Sequence, residues 1–210
     1  MLRAFQWVLL VKCIFICQGL LAQRIVAECT VDYRVQPDSI WKDLESADFN
    51  ASKRVFIKGN DLRIDMENPG FLQSLIYDKT NQQAVVLRVI GTNKFITRLV
   101  GNDWQQELKK YDSMQVVFLN AYKTIIGYDC KSASLKLKDG TDYLVYYTTS
   151  IAPSVREFEL AFKDIPGFVL QYSVTRNNHR VTYQATRISF SPVPASRFDI
   201  PTNGFRVLKK

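Results

Sequence analysis

The sequence predicts an all-β fold with minor helix, a strongly curved antiparallel sheet forming an open half-barrel. Two observations carry this. Apolar and polar residues alternate at period two through most of the chain, as half-buried strands require. Tight-turn signals then recur at short intervals, at Gly59-Asn60, Asn68-Pro69-Gly70, Gly91-Thr92-Asn93, Asp139-Gly140 and Asn177-Asn178. A third consideration is size: on the order of ten strands in one sheet must curl or close.

The first 22 residues differ in character. Arg3 supplies a positive start, an apolar stretch from Trp7 to Ile16 is broken by Lys12, and Gln18 and Gly19 follow. This is the order of a secretory signal, with cleavage expected after Ala22. The apolar run is too short and too broken to span a bilayer comfortably. The residues before Cys13 and Cys17, Lys12 and Ile16, are not the small residue that lipidation needs. The expected organisation is a signal peptide over 1–22 and one β domain over 23–210, exported to the periplasm or beyond. With 47% hydrophobic and 23% charged residues, the chain has the ordinary globular balance, which excludes bulk disorder. Loss of Arg3 and Lys12 takes the net charge from +8 to +6. The remaining Lys and Arg are scattered rather than clustered, and export argues against nucleic acid as a partner.

Alternation is cleanest at the expected mature N-terminus. Ile25, Ala27, Cys29, Val31, Tyr33 and Val35 share one face, with Val26 the apolar exception on the other. Residues 37–48, with Ile40, Trp41 and Leu44, read as a short helix or structured loop. Strands are expected at Lys53–Lys58, Leu62–Met66, Phe71–Tyr77, Ala84–Ile90 and Lys94–Val100. Residues 103–113, carrying Trp104, Leu108 and Tyr111, suit a short helix or lid. Further strands are expected at Val116–Leu119, Thr124–Tyr128, Lys131–Leu137 and Tyr143–Thr149. Phe168–Val174 and Val181–Phe190 complete the set, with a bulge near Thr186-Arg187 where the apolar phase switches. The segment around Phe158, Leu160 and Phe162 fits either a strand or an amphipathic turn. Pro166-Gly167 reads as turn chemistry.

No catalytic or metal-binding constellation stands out, so the reading is not an enzyme and no cofactor. The single histidine, His179, lies beside the Asn177-Asn178 turn, where it reads as solvated. The carboxylate pairs Asp61/Asp65 and Glu157/Glu159 share strand faces, in each case the polar one. Cys29 and Cys130 are the two cysteines beyond the signal, and an exported protein often pairs two such thiols. Cys130 is out of phase with Ala133, Leu135 and Leu137, so a bulge or twist would have to turn it inward toward Cys29.

Several stretches together resemble the LolA-like superfamily of Gram-negative envelope proteins, and look closest to its uncharacterised secreted families. They are Gly59–Met66 (GNDLRIDM), Leu75–Leu87 (LIYDKTNQQAVVL), Ile125–Ile151 (IIGYDCKSASLKLKDGTDYLVYYTTSI), Asp164–Tyr172 (DIPGFVLQY) and Phe198–Phe205 (FDIPTNGF). In the fourth, Asp164-Ile165-Pro166-Gly167-Phe168 stands where one such family has its Gly-Leu-Pro-Gly-Leu motif. The resemblance implies short helices across the mouth of the half-barrel and a partner that is a lipid, an acyl chain or a lipoprotein. It carries over no catalytic residue. Two readings of the concave face stay open. In one, the protein binds or carries an apolar ligand in a cavity expected to be lined by Ile25, Val31, Tyr33, Leu62, Ile64, Met66, Leu170 and Tyr172. In the other, the groove is filled by its own side chains and the protein recognises an envelope partner through an exposed patch or sheet edge.

Overall fold

The structure is a computed structural model that describes residues 23–38, 51–156 and 159–208. The expected signal peptide and most of the 37–48 segment lie outside the described residues. Fourteen strands are described: β1 (Arg24–Val26), β2 (Glu28–Pro37), β3 (Ser52–Lys58), β4 (Asp61–Asn68), β5 (Phe71–Asp78), β6 (Gln83–Ile90), β7 (Asn93–Leu99), β8 (Gln115–Ile125), β9 (Tyr128–Lys136), β10 (Asp142–Thr148), β11 (Ile151–Pro153), β12 (Phe168–Arg176), β13 (His179–Ser189) and β14 (Arg206–Val207). One α-helix, α1 (Asn102–Lys109), and 3-10 turns at Leu160–Phe162 and Ala195–Phe198 complete the described elements. Among the described residues no helix is long and apolar enough to cross a membrane.

Twelve strands form one sheet in the order β14-β7-β6-β5-β4-β3-β2-β13-β12-β10-β9-β8. It is antiparallel throughout except for β14, which lies parallel to β7. The order has two ends, so the sheet is open. It is also bent, because Leu62, Tyr77 and Leu99 from one wing share a core with Leu135, Val145 and Tyr147 from the other. Apart from β14 at one end, the sheet consists of β2–β7 and of β8–β10 with β12 and β13, joined along a single seam where β2 pairs with β13.

The turns follow the sequence signals. Pro69-Gly70 joins β4 to β5 with Gly70 at φ 79°, the left-handed position that a type II turn gives to glycine. Asn177 and Asn178 both take positive φ, which makes the two-residue loop between β12 and β13 a type I′ turn. The register slip between Ala185 and Arg187 is the expected bulge.

Two local expectations fail. First, Ile25 is 70% exposed, while Val26 is buried. β1 leaves the main sheet to pair in parallel with β11, and the bend at Ala27 resets the phase before Cys29. Second, the expected strands Val116–Leu119 and Thr124–Tyr128 are largely one strand, β8. A bulge between Leu119 and Tyr122 breaks its alternation, and Ile126-Gly127, both at positive φ, turn the chain into β9. The expected turn at Pro166-Gly167 is present, with the Gly167 N–H donating to the Ile165 carbonyl (2.9 Å), but the glycine is there for space and not for an unusual dihedral. A Cβ there would lie 2.0 Å from the Thr148 carbonyl oxygen. Its role is the close approach of one backbone to another.

The convex face of β4–β7 has its own cover. Phe198, Ile200 and Phe205 of the C-terminal segment pack on Ile76, Val85, Leu87 and Ile96. Arg63 ties that cover down by donating to the Arg197 carbonyl (2.8 Å), and it pairs with Asp65 (2.7 Å). Asp65 is thus a partner in packing rather than free surface.

Candidate ligand site on the concave face

The chain crosses the concave face twice, and the crossings divide it. Residues 159–167, through the turn Leu160–Phe162, pass over the centre. Phe162 packs edge-on against Tyr172 with ring centroids 4.9 Å apart, and Ile165 is fully buried. Helix α1 covers the β5–β7 wing, where Trp104 lies on Tyr77 with centroids 4.9 Å apart. Its apolar positions Trp104 and Leu108 are four apart, so one face of the helix meets the sheet.

Under the central crossing sits a sealed polar cluster. Lys53, only 1% exposed, donates to the Tyr172 hydroxyl (2.8 Å) and pairs with the Glu159 carboxylate. Tyr172 in turn donates to Glu159 (3.1 Å). The ammonium also lies 5.0–5.6 Å from the ring centres of Tyr172, Tyr33 and Tyr183, within cation–π range. Tyr172 and Tyr183 stack at 4.5 Å, and Tyr33 donates to the Val169 carbonyl (2.8 Å). Burial pulls the Lys53 ammonium down to about 7. Burial raises the Tyr33 and Tyr172 phenols far above their ordinary range, so both stay neutral donors. The cluster fastens the crossing segment to the sheet.

Beside it the face is open. A cleft of about 470 Å³ lies over β5–β7, within the size range of small-ligand sites. Leu75, Val86 and Leu99 come from the strands, Trp104 from α1, Leu160 from the central crossing and Leu208 from the C-terminal segment. The polar lining is Gln73, Arg88, Thr97, Glu107 and Lys110. Register explains this layout. Leu75, Val86 and Thr97 form one cross-strand row, and Gln73 and Arg88 lie in the next. That second row continues inward through Met66 to Lys53, so the sealed and the open cations share one line across the sheet. Arg88 donates through Nε to the Gln73 amide oxygen (2.9 Å), and its two terminal nitrogens have no hydrogen-bond partner among the described residues.

None of the eight residues expected to line the cavity lines this cleft. Val31, Tyr33, Leu62, Leu170 and Tyr172 are core residues beneath the central crossing. Ile64 and Met66 lie one strand inward, opposite Leu75 and Gln73. Ile25 is on the outside. Cys29 and Cys130 are both buried and free rather than bridged. β2 and β9 stand four strand spacings apart, each about 4.8 Å along the sheet, whereas bridged Cα atoms lie within about 7 Å. Burial pushes the two thiols up to about 12 and about 11, which makes them poor nucleophiles. His179 is an exposed residue at the start of β13.

Lys53 was missed although it had a signal in the sequence, whereas the lid was anticipated. Lys53 shares parity with Val55 and Ile57, which put a cation on an inward face. Trp104 and Leu108 marked the lid. Nothing local marked Arg88 as a site residue.

No protein-family model and no curated protein sequence matches the chain. Similar solved structures include PNGF-II in a P21 crystal form, at a TM-score of 0.54 and 12% identity. The match covers 88% of this chain and 32% of that one. Others are MucB (TM-score 0.43, 8% identity, 84% and 58% covered) and the Mycobacterium tuberculosis lipoprotein LppX (0.34, 12%, 80% and 89%). At this identity the PNGF-II likeness is one of fold. The chain spans about a third of the PNGF-II chain that it matches.

Proposed function

We propose that this is an exported envelope protein that binds or carries an apolar, lipid-like ligand, without catalysis of its own. The observation that supports the reading is the cleft over β5–β7, with six apolar residues from four parts of the chain around it. Such lining binds by removing apolar area from water, at about 25 cal/mol per Å². The non-catalytic reading is supported by the sealing of Lys53, the most perturbed amine, beneath three aromatic rings. The LolA-like sequence resemblance agrees with a lipid-like ligand. The test is native mass spectrometry of the protein purified from periplasm, with organic extraction of what co-purifies. A bound lipid or other apolar molecule is expected. A clean apo mass, together with no uptake of added fatty acid or lipopeptide, overturns the reading.

One observation favours a second reading, an interaction module. β8 is an eleven-residue edge strand whose outer side pairs with no described strand. Val117, Phe118 and Tyr122 are 56%, 57% and 71% exposed along it. A long apolar edge is a template for strand addition by another chain.

A further inference from the structure

The cleft is not uniformly apolar, and its polar part has a direction. Its apolar lining centres on Leu75, Val86, Leu99 and Trp104. Arg88 and Gln73 occupy the row beyond Leu75 and Val86, away from Tyr77 and the helix-covered end. The Gln73 amide holds the guanidinium by Nε alone, so both Nη groups remain to donate. Guanidinium nitrogens form a fork that fits the paired oxygens of a carboxylate or phosphate. The lining carries two cations, Arg88 and Lys110, against one carboxylate, Glu107. Glu107 belongs to α1, and its charge acts on Tyr111. Lys110 lies over the Tyr111 ring at 4.8 Å and is an exposed residue just past the helix end. A neutral oily guest would leave the Arg88 donors unpaired in a partly buried place, which is costly.

Resting on the binding reading above, we infer that the ligand is a single-chain amphiphile with an anionic head. The chain lies on Leu75, Val86, Leu99 and Trp104, and a carboxylate or phosphate accepts from Arg88 at the cleft mouth. Gln73 is a positioning residue that fixes the plane of the guanidinium.

The test compares three probes of one chain length, myristate, myristyl phosphate and myristyl alcohol, by calorimetry on the folded protein. Quenching of Trp104 by a brominated myristate, in a Trp41→Phe background of the chain from residue 23 onward, ties binding to the cleft. The expected result is that at least one anion binds about tenfold or more tightly than the alcohol. The tighter of the two anions names the head chemistry. Arg88→Met brings the anions down to the alcohol's affinity and leaves the alcohol unchanged, and Arg88→Lys restores part of the difference. Equal affinity for all three probes overturns the anionic head while leaving the carrier reading intact. So does an Arg88→Met variant that weakens all three alike. Binding of none of them, with circular dichroism showing a folded protein, overturns both.

Discussion

Lys53 on β3 and Arg88 on β6 belong to one cross-strand row of the concave face, three strands apart, with Met66 and Gln73 between them. The first is covered by the 159–167 crossing, paired with Glu159 and ringed by tyrosines. The second is held by one amide and otherwise opens onto a cleft. The strands beneath the two are alike. What separates them is the covering segment, which reaches the centre of the bowl and stops short of the wing. A cation that is fixed by its surroundings serves the fold, and one with donors to spare is available to a ligand.

The comparison breaks most severely if the crossing is lifted. Gly167→Ala places a methyl group where the Thr148 carbonyl already lies. It is expected to cost about 3 kcal/mol or more in chemical denaturation. A loss under about 0.5 kcal/mol would show that the crossing is loosely seated. Next in size is the Lys53–Glu159 pair. In the folded protein the amine gives up its proton near pH 7, whereas unfolded it holds it to about 10.5. The unfolded chain therefore binds more protons between these values, and stability rises as the pH climbs from about 7 toward 10.5. At pH 6 the variant Glu159→Gln leaves a buried ammonium without its anion, a loss of about 3 kcal/mol. At pH 9 the loss should shrink to about 1 kcal/mol. Lys53→Met should lie within about 1 kcal/mol of wild type at pH 6 and lose the alkaline slope. A slope that persists would assign it to another group.

Smallest is the edge. Val117→Lys should change stability by no more than about 0.5 kcal/mol. It should reduce self-association in light scattering at high concentration, because a charge on an edge strand opposes strand addition. Unchanged scattering would count against β8 as a sticky surface.

Much of the fold was legible in the residues. Period-two alternation and turn dipeptides located most strands because these signals are local and steric. The errors fell where pairing overrides pattern. Ile25 and Val26 exchange places because β1 finds a partner outside the main sheet. β8 runs on past a break because a bulge absorbs it. The candidate site was less legible. Val31, Tyr33, Leu62 and Leu170 do face inward, as their parity requires, but facing inward does not decide between core and cavity. That depends on where residues 102–110 and 159–167 come to rest, which alternation does not encode. Glu159 was read as solvated because it shares a face with Glu157, opposite Phe158 and Leu160, and its partner, Lys53, lies 106 positions earlier in the chain.

The seam between β2 and β13 has a consequence for how the chain matures. Each half can zip up largely hairpin by hairpin as it emerges, the one longer step being β10 to β12 across residues 149–167. The seam joins residues about 150 positions apart, such as Tyr33 with Ala185. Until β13 is delivered, β2 waits as a bare edge with its apolar face uncovered. Contacts at such separation are slow to form, and unpaired edges invite association between molecules. A chain made N-terminus first holds that vulnerable edge longest, so its assembly places a demand on whatever shields the growing chain.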